Sequence, residues 1–231
     1  RSGEVIGLIG ESGSGKTTTA RLILKLLAPT SGEVYLRGKD VWTIPNREYY
    51  RYVQGVFQDP YSSINPVYKV KHIFNNTSNL FKEVPSDEIS RQVKEVLELV
   101  HLQPEEVLEK HIDELSGGEL QRILLANCLF VDPDVILTDE PTSMIDASMR
   151  VIVLNVIKEL SEKQQKLVVF ITHDISQAFY ICDRIIVMYQ GRIVEQGSAE
   201  DVVLNPQHPY TKRLIADVPK LKQKFKLSIE L

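Results

Sequence analysis

This sequence of 231 residues has only two cysteines, no excess of positive charge and no long apolar run. Its two cysteines, Cys128 and Cys182, lie in apolar helical patterns, so we interpret them as buried thiols in a reducing cytosol rather than a disulfide or metal pair. A net charge of −4 gives no electrostatic reason to expect a nucleic acid partner. No apolar run approaches the ~20 residues of a membrane-spanning helix, so any membrane is expected to be reached through a partner.

The sequence alternates instead between strand and helix patterns. The apolar runs VIGLIG, DVILTD and LVVFITH, which begin at Val5, Asp134 and Leu167, are typical of strands buried on both faces. Shorter strands are predicted in GEVYLRG (32–38) and VQGVFQD (53–59), and a hairpin is predicted over 184–197 with its turn at Gln190-Gly191. Helical spacing predicts a helix that ends at Pro29, one capped by Ser86, and one over 149–160. This order predicts an α/β fold with a mainly parallel sheet and an antiparallel part.

The first candidate site follows the first predicted strand. GESGSGKT, from Gly10 to Thr17, fits the phosphate-binding pattern G-x-x-x-x-G-K-[ST] between a strand and a helix. Glycines let backbone N–H groups converge on phosphate oxygens, and the helix N-terminus adds positive potential. We expect the phosphates of a nucleotide and Mg²⁺ here, with Lys16 on the β- and γ-phosphates and Thr17 on the metal. The predicted nucleotide contacts are Gly10, Ser12, Gly13, Ser14, Gly15, Lys16, Thr17 and Thr18.

The predicted strand DVILTD ends in an acid, Asp139, and a second acid, Glu140, follows it directly. Asp139 is placed to hold Mg²⁺, and Glu140 to polarise an attacking water as general base. The alternative is a pair of exposed acids in a turn before Pro141. A buried strand that delivers both acids beside a phosphate loop favours the catalytic interpretation.

LSGGELQR, residues 115 to 122, resembles the signature of the ATP-binding cassette (ABC) ATPases. The other motifs follow in that family's order over nearly the whole chain. Gln58 in VFQDP resembles the Q-loop, Ser143 to Asp146 the D-loop, and His173 in ITHD the switch histidine. The resemblance implies a P-loop NTPase core in which Glu140 is the catalytic glutamate, Gln58 touches metal and water, and His173 contacts the γ-phosphate. Three other histidines, His72, His101 and His111, are interpreted as structural.

The family's architecture gives LSGGELQR a purpose between two chains. Two cassettes pack head to tail, so Ser116, Gly117 and Gly118 would grip the γ-phosphate bound by the partner's P-loop, with Glu119 and Asp146 also at that nucleotide interface. Ser116-x-x-Glu119 is at the same time a capping box, and both interpretations are compatible. Many family members have glutamine at the position of Glu119. Asp146 fits an intersubunit role and a helix cap equally well.

The C-terminal stretch NPQHPYTKRL, from Asn205 to Leu214, resembles a tail of oligopeptide and dipeptide importer ATPases, and QDPYSSINP (58–66) is similar to theirs. Locally, HPYT predicts a proline turn before a small amphipathic helix with apolar positions Tyr210, Leu214, Ile215 and Val218. The resemblance implies a second ATPase subunit, in a homo- or heterodimer, and a membrane permease as partners. It also implies indirect work with a substrate-binding protein, and a place on the cytoplasmic face of the membrane.

Three regions are predicted. Residues 1–66 and 131–197 form the ATP-binding α/β core, 67–130 a helical signature subdomain inserted in it, and 198–231 an importer-type tail. The tail's basic end, 220–226, is interpreted as solvated. Because a strand pattern begins almost at once, we expect the antiparallel part to be N-terminally incomplete and the adenine-stacking aromatic residue to lie upstream.

Other functions remain open. The same ATPase type serves oligosaccharide or nickel import in relatives, and the sequence does not name the cargo. A cassette acting on DNA or ribosomes is a second alternative, but those typically carry long coiled-coil or zinc-bearing inserts or two cassettes. This sequence has one P-loop, and only 56 residues run from Asp59 to Glu114 inclusive. A catalytically silent cassette is the third alternative, and the retention of Lys16, Gln58, Glu140 and His173 argues against it.

Overall fold

A computed structural model describes residues 2–59, 61, 64–81 and 84–216. In chain order its strands are β1 Val5–Ile9, β2 Tyr35–Leu36, β3 Lys39–Asp40, β4 Val53–Val56, β5 Val135–Asp139, β6 Leu167–Thr172, β7 Arg184–Tyr189 and β8 Arg192–Ser198. Six of them form the main sheet, in the order β4-β5-β6-β1-β7-β8. Neighbouring strands run parallel from β4 to β7, and β8 pairs antiparallel with β7. The predicted mainly parallel sheet and the hairpin turning at Gln190-Gly191 are confirmed.

The helices lie between and after these strands. Their bounds are α1 Lys16–Ile23, α2 Asn46–Tyr52, α3 Val70–Ser78, α4 Ser86–Leu99, α5 Pro104–Val107, α6 Gly117–Phe130, α7 Ala147–Glu162, α8 Ile175–Ile181, α9 Ala199–Leu204 and α10 Pro209–Ala216. Short 3₁₀ turns occupy Val41–Thr43 and Ile112–Glu114. The described part of 67–130 is therefore helical, as predicted. None of the helices in the described ranges is long and apolar enough to cross a membrane.

Both faces of the sheet are covered, which explains the continuous apolar runs. Ile9, Ile136 and Phe170 belong to a large core that includes α6 and most of the other helices. Alternate residues of the same strands, such as Leu8 and Leu137, belong to a second core against α1 and α2. Because successive strand side chains point to opposite faces, a strand covered on both sides is apolar throughout. Cys128 and Cys182 are buried free thiols, as predicted.

The strand register determines where the functional segments lie. Ile9 pairs with Thr172, and Asp139 pairs with Ile171. The carboxyl ends of β1, β5 and β6 therefore meet at one edge of the sheet, where ligands of open α/β sheets bind.

Four local predictions were wrong. Helix α1 ends at Ile23 and not at Pro29, because Lys25 adopts a positive φ of 55° and the N–H of Leu26 turns back to the Arg21 carbonyl at 2.8 Å. Leu26 is consequently 57% exposed. Ser86 is the first residue of α4, and Pro85 occupies the cap position.

The other two errors concern the segment between α1 and β4. In GEVYLRG only β2 Tyr35–Leu36 is a strand, and it pairs with β3 Lys39–Asp40 in a separate two-stranded sheet. Helix α2 was not predicted, since its seven residues carry only one fully buried side chain, Tyr49, and so show no apolar periodicity. In the loop QDPYSSINP, Pro60, Ser62 and Ser63 lie outside the described residues, as do Val218 and the basic end of the tail.

Candidate active site

The phosphate loop connects β1 to α1 without a side-chain cap. Gly15 caps α1 with a positive φ of 104°, and no side chain bonds to the helix end. At Gly10 a Cβ atom would lie 2.3 Å from the Met188 carbonyl oxygen, so a larger residue does not fit. Ser14 Oγ is buried, and no hydrogen-bonding partner is found for it in the described part of the chain. An unsatisfied buried hydroxyl in a loop that ends at a helix N-terminus suits a phosphate ligand.

Lys16 is folded back over its own loop. The residue is 6% exposed, and its Nζ donates to the carbonyl oxygens of Gly10 at 2.7 Å and Glu11 at 2.9 Å. Burial lowers the pKa of Lys16, and the charges of Glu140, Asp139 and Glu11 oppose that shift. The ammonium group therefore lies in the field of both predicted catalytic-site acids.

The predicted metal ligands Asp139, Thr17 and Gln58 lie close together. All three line one cavity of about 350 Å³, and the Thr17 side chain hydrogen-bonds to the Asp139 carboxylate. Burial raises the pKa of Asp139, whereas the Thr17 hydrogen bond and the nearby Lys16 lower it. Hydroxyl, carboxylate and amide oxygens are the donors that Mg²⁺ prefers, so these residues fit that ion.

Glu140 and His173 also come together. His173 Nδ1 lies 2.8 Å from Glu140 Oε1, and the side chains are 64% and 15% exposed, respectively. Glu140 has a positive φ of 50°, and its N–H donates to the Ile171 carbonyl at 2.9 Å. A non-glycine residue in this region is strained, and such strain is concentrated at functional sites. The turn thus places a partly accessible carboxylate at the strand end, beside an accessible imidazole.

The signature segment begins α6 with the predicted capping box. Ser116 Oγ accepts from the Glu119 N–H at 3.2 Å, and Glu119 Oε2 accepts from the Ser116 N–H at 2.9 Å. The hydrogen bond from the Ser116 N–H is the main cause that lowers the pKa of Glu119, and Lys110 contributes from 3.3 Å. The capping box therefore satisfies two of the first N–H groups of α6 within the chain, those of Ser116 and Glu119.

The D-loop, from Ser143 to Asp146, packs on this signature and lies away from the cavity lined by Thr17, Gln58 and Asp139. A Cβ on Gly117 would lie 3.5 Å from the Met144 carbonyl oxygen, which is an ordinary contact. Asp146 occupies the cap position of α7, but its side chain does not cap the helix. The part of the cavity lining that the structure describes includes neither Ser116 nor Asp146. Within one chain, then, the signature and the D-loop form a surface separate from the P-loop cavity.

Sequence reasoning missed four residues of the described cavity lining, which are Arg21, Leu26, Phe57 and Asp59. Arg21 lies four positions after Thr17 on α1 and hence on the same helix face, which is the signal that would have found it. The three histidines that we interpreted as structural have contacts within the chain. His72 Nδ1 accepts from the Lys69 N–H at 3.2 Å, His111 Nδ1 lies 2.8 Å from the Val67 carbonyl, and the His101 carbonyl accepts from Arg122 at 2.8 Å.

The fold and this site define a P-loop nucleotide-hydrolase core. A family model described as ABC transporter matches residues 1–143. A putative peptide import ATP-binding protein of Brucella ovis is 41% identical over 94% of this chain and 69% of its own length. The oligopeptide transport ATP-binding protein OppF of Bacillus subtilis is 42% identical over 94% of this chain and 72% of its own length.

Solved structures agree with these relatives. CbiO1 from Clostridium perfringens, described as part of an ABC transporter complex, superposes with a TM-score of 0.79 at 25% identity, over 100% of this chain and 89% of its own. The ATP-binding cassette MJ0796, a dimer in a post-hydrolysis state with ADP and Pi, gives 0.77 at 28% identity, over 86% of this chain and 87% of its own. The chain belongs to the ABC transporter family, and within that family it is an ATPase.

Proposed function

We propose that this chain is the nucleotide-binding subunit of an importer for oligopeptides or dipeptides. It works as a head-to-tail ATPase dimer on the cytoplasmic face of a membrane permease, which receives its cargo from a substrate-binding protein. The observation that carries the ATPase part is the delivery of Asp139 and Glu140 to the edge of the sheet where Lys16 and Thr17 lie. The import part is supported by the names of the relatives from Brucella ovis and Bacillus subtilis.

The chain's own residues fit the phosphates of ATP and one metal ion. Lys16 would exchange the Gly10 and Glu11 carbonyls for the β- and γ-phosphates, while the loop N–H groups and the Ser14 hydroxyl would bind the remaining phosphate oxygens. Thr17 and Asp139, with Gln58, would hold Mg²⁺. When bound, this ion neutralises charge on the phosphates and on the leaving group.

Hydrolysis then depends on Glu140. Its carboxylate accepts a proton as the water oxygen bonds to the γ-phosphorus, and the bond from that phosphorus to the β–γ bridging oxygen breaks. His173 orients the carboxylate through the 2.8 Å contact and contacts the γ-phosphate with the exposed part of its ring. Ser116, Gly117 and Gly118 of the second subunit close over the same phosphate, so that ATP joins the two cassettes.

Removal of the proposed base tests this function. Glu140→Gln keeps the size of the side chain and its contact to His173 but cannot take the proton, so we expect steady-state ATP hydrolysis to fall by at least about 100-fold. ATP binding should be retained. Glu159→Gln, which changes an exposed glutamate on α7, is the matched control and should leave both quantities unchanged.

Unchanged hydrolysis in Glu140→Gln would refute the assignment of the base. The cargo is tested in the same assay with the assembled importer in lipid vesicles. A dipeptide or oligopeptide delivered by the binding protein should accelerate ATP hydrolysis. Acceleration by an oligosaccharide alone, or by nickel alone, would show that this compound and not a peptide is the cargo.

A further inference from the structure

The motif NPQHPYT has no role yet in the proposed function, although the structure gives most of its residues a defined contact. Glu195, on strand β8, accepts from the N–H of Gln207 at 2.7 Å through Oε1 and from the N–H of His208 at 3.0 Å through Oε2. One carboxylate therefore holds two consecutive backbone groups of the tail. A hydrogen bond to a charged group is among the stronger ones in proteins, so this point of attachment is well defined.

The attachment leads directly into α10. His208 Nδ1 accepts from the N–H of Tyr210 at 3.1 Å, and Pro209 is the first residue of the helix. Proline at the first helical position has a φ already suited to the helix and loses no hydrogen bond there. Gln207, His208 and Pro209 thus determine the direction in which α10 leaves the sheet, and with it the position of Tyr210.

Tyr210 reaches the phosphate loop. The residue is 2% exposed, and its hydroxyl oxygen accepts from the backbone N–H of Glu11 at 2.8 Å. Its ring stacks on Tyr189 with centroids 4.2 Å apart. Burial is the main cause that raises the pKa of Tyr210, so the hydroxyl stays neutral at physiological pH. Glu11 is the second residue of GESGSGKT, and the contact spans 199 positions of the sequence.

The same hairpin supports the loop at a second point. Tyr189 ends β7, and in the following turn the N–H of Gly191 donates to the Ser14 carbonyl at 3.0 Å. The backbone of the phosphate loop is therefore held at Glu11 by α10 and at Ser14 by the hairpin on which Tyr210 stacks. A loop held in this way before ligand arrives loses less conformational freedom on binding.

We propose that Tyr210 is a positioning residue for ATP: its hydroxyl holds the Glu11 backbone so that the phosphate loop is pre-organised for the nucleotide. The C-terminal segment 205–211 thereby contributes to nucleotide affinity without touching the nucleotide. This inference rests on the proposed function only in that it requires ATP to bind at the P-loop. It predicts an effect on binding rather than on the chemical step, which depends on Glu140.

The test compares Tyr210→Phe with Tyr180→Phe. Both remove one hydroxyl, but the Tyr180 hydroxyl donates to Asn155 Oδ1 at 2.9 Å, on an exposed site between α8 and α7. The Kd for MgATP is measured by calorimetry in Glu140→Gln protein, which prevents turnover, and KM and kcat are measured with Glu140 intact. Tyr210→Phe keeps the ring on Tyr189, and we expect its Kd and KM to rise about threefold to tenfold, with kcat within about twofold.

A purely structural role gives a different result. If Tyr210→Phe lowers the Tm but leaves the Kd unchanged, or if kcat falls while KM does not change, the inference is wrong. Glu195→Gln provides a second test that does not alter α10 itself, because it weakens the attachment of Gln207 and His208. Its Kd should rise in the same direction, by about twofold or more, and an unchanged Kd would count against the inference. Failure of the unsubstituted chain to bind MgATP would overturn the proposed function as well, and this control distinguishes the two failures.

Discussion

Helices α1 and α6 both begin beside glycines, but their first turns are satisfied in different ways. At α1, Gly15 leaves the helix end without a side-chain cap, and the loop is held instead by Lys16, by the hairpin and by Tyr210. At α6, Ser116 and Glu119 satisfy each other's backbone groups. The backbone N–H groups at the start of α1 are therefore not taken up by a side-chain cap and can donate to a phosphate of a nucleotide bound by the same chain.

The α6 end differs because two of its donors, the N–H groups of Ser116 and Glu119, are already in use. In the proposed function, a phosphate presented by a second chain would compete with Glu119 for Ser116, so this helix start would be stable alone and completed by the partner. The same local feature, a glycine-rich helix start, would then serve as a nucleotide pocket in one place and as a half-site in the other.

The largest effects are expected from substitutions that disable either the start of α1 or the start of α6. In Glu140→Gln protein, MgATP should double the mass seen by light scattering. Lys16→Ala removes the charge that binds the phosphates, so both ATP binding and the mass change should be lost. Ser116→Arg obstructs only the half-site, so the mass change should be lost while the Kd of the monomer for MgATP stays within about threefold of the parent value, a difference below ~1 kcal/mol.

Alanine at Ser116 is the control for the size of the arginine. Dimer formation by Ser116→Arg would show that LSGGELQR does not close a partner's site. A persistent monomer in the parent protein, despite ATP binding, would show that the cassette needs its permease or a different ATPase partner to dimerise.

A smaller effect is expected from the capping box alone. Glu119→Ala removes the acceptor of the Ser116 N–H and the ion pair with Lys110. Loss of a helix cap costs about 1 kcal/mol, so the Tm should fall by about 2–4 °C in a chain of this size. ATP binding by the monomer should not change, because the P-loop lies elsewhere.

Glu119→Gln is the matched control, since its amide oxygen can still accept from the Ser116 N–H. Its Tm should fall by less than half as much. Equal losses in the two variants would mean that the charge of Glu119, and not the hydrogen bond, stabilises the start of α6.

The smallest expected effect concerns Asp139, the acid in the cavity beside the start of α1. Because burial raises the folded-state pKa of Asp139 above its ordinary value of 3.8, the stability that it contributes is fully present below pH 3.8 and is lost as the pH rises through the raised pKa. Asp139→Asn should therefore raise the Tm of the nucleotide-free protein at pH 7, by about 2 °C, and by less at pH 4.

Thermal denaturation at the two pH values measures this difference. Asp132→Asn, at an exposed position paired with Lys166, should show no such gain. A lower Tm for Asp139→Asn at pH 7 would show that the hydrogen bond from Thr17 outweighs burial. Dependence of ATP binding on Mg²⁺ should weaken in the same variant.

Much of the site was predictable because its determinants are local. The spacing of Gly10 to Thr17, the acids at the end of an apolar strand and the Ser116–Glu119 pair each lie within eight consecutive residues. The meeting of Thr17, Gln58 and Asp139 also followed, since parallel strands bring their carboxyl ends to one edge. The end of α1 was not predictable in this way, because an apolar pattern continues through Leu26 and Leu27 after the backbone has already turned at Lys25.

The amino-acid sequence by itself determined the parallel α/β core, the phosphate loop and the signature, because each depends on periodicity or on neighbouring residues. Only the tertiary structure decided what NPQHPYT contacts. Its contacts are made to Glu195 on β8, to Tyr189 at the end of β7 and to Glu11 near the start of the chain. Contacts between segments so far apart depend on how sheet and helices pack, and no local pattern records that packing.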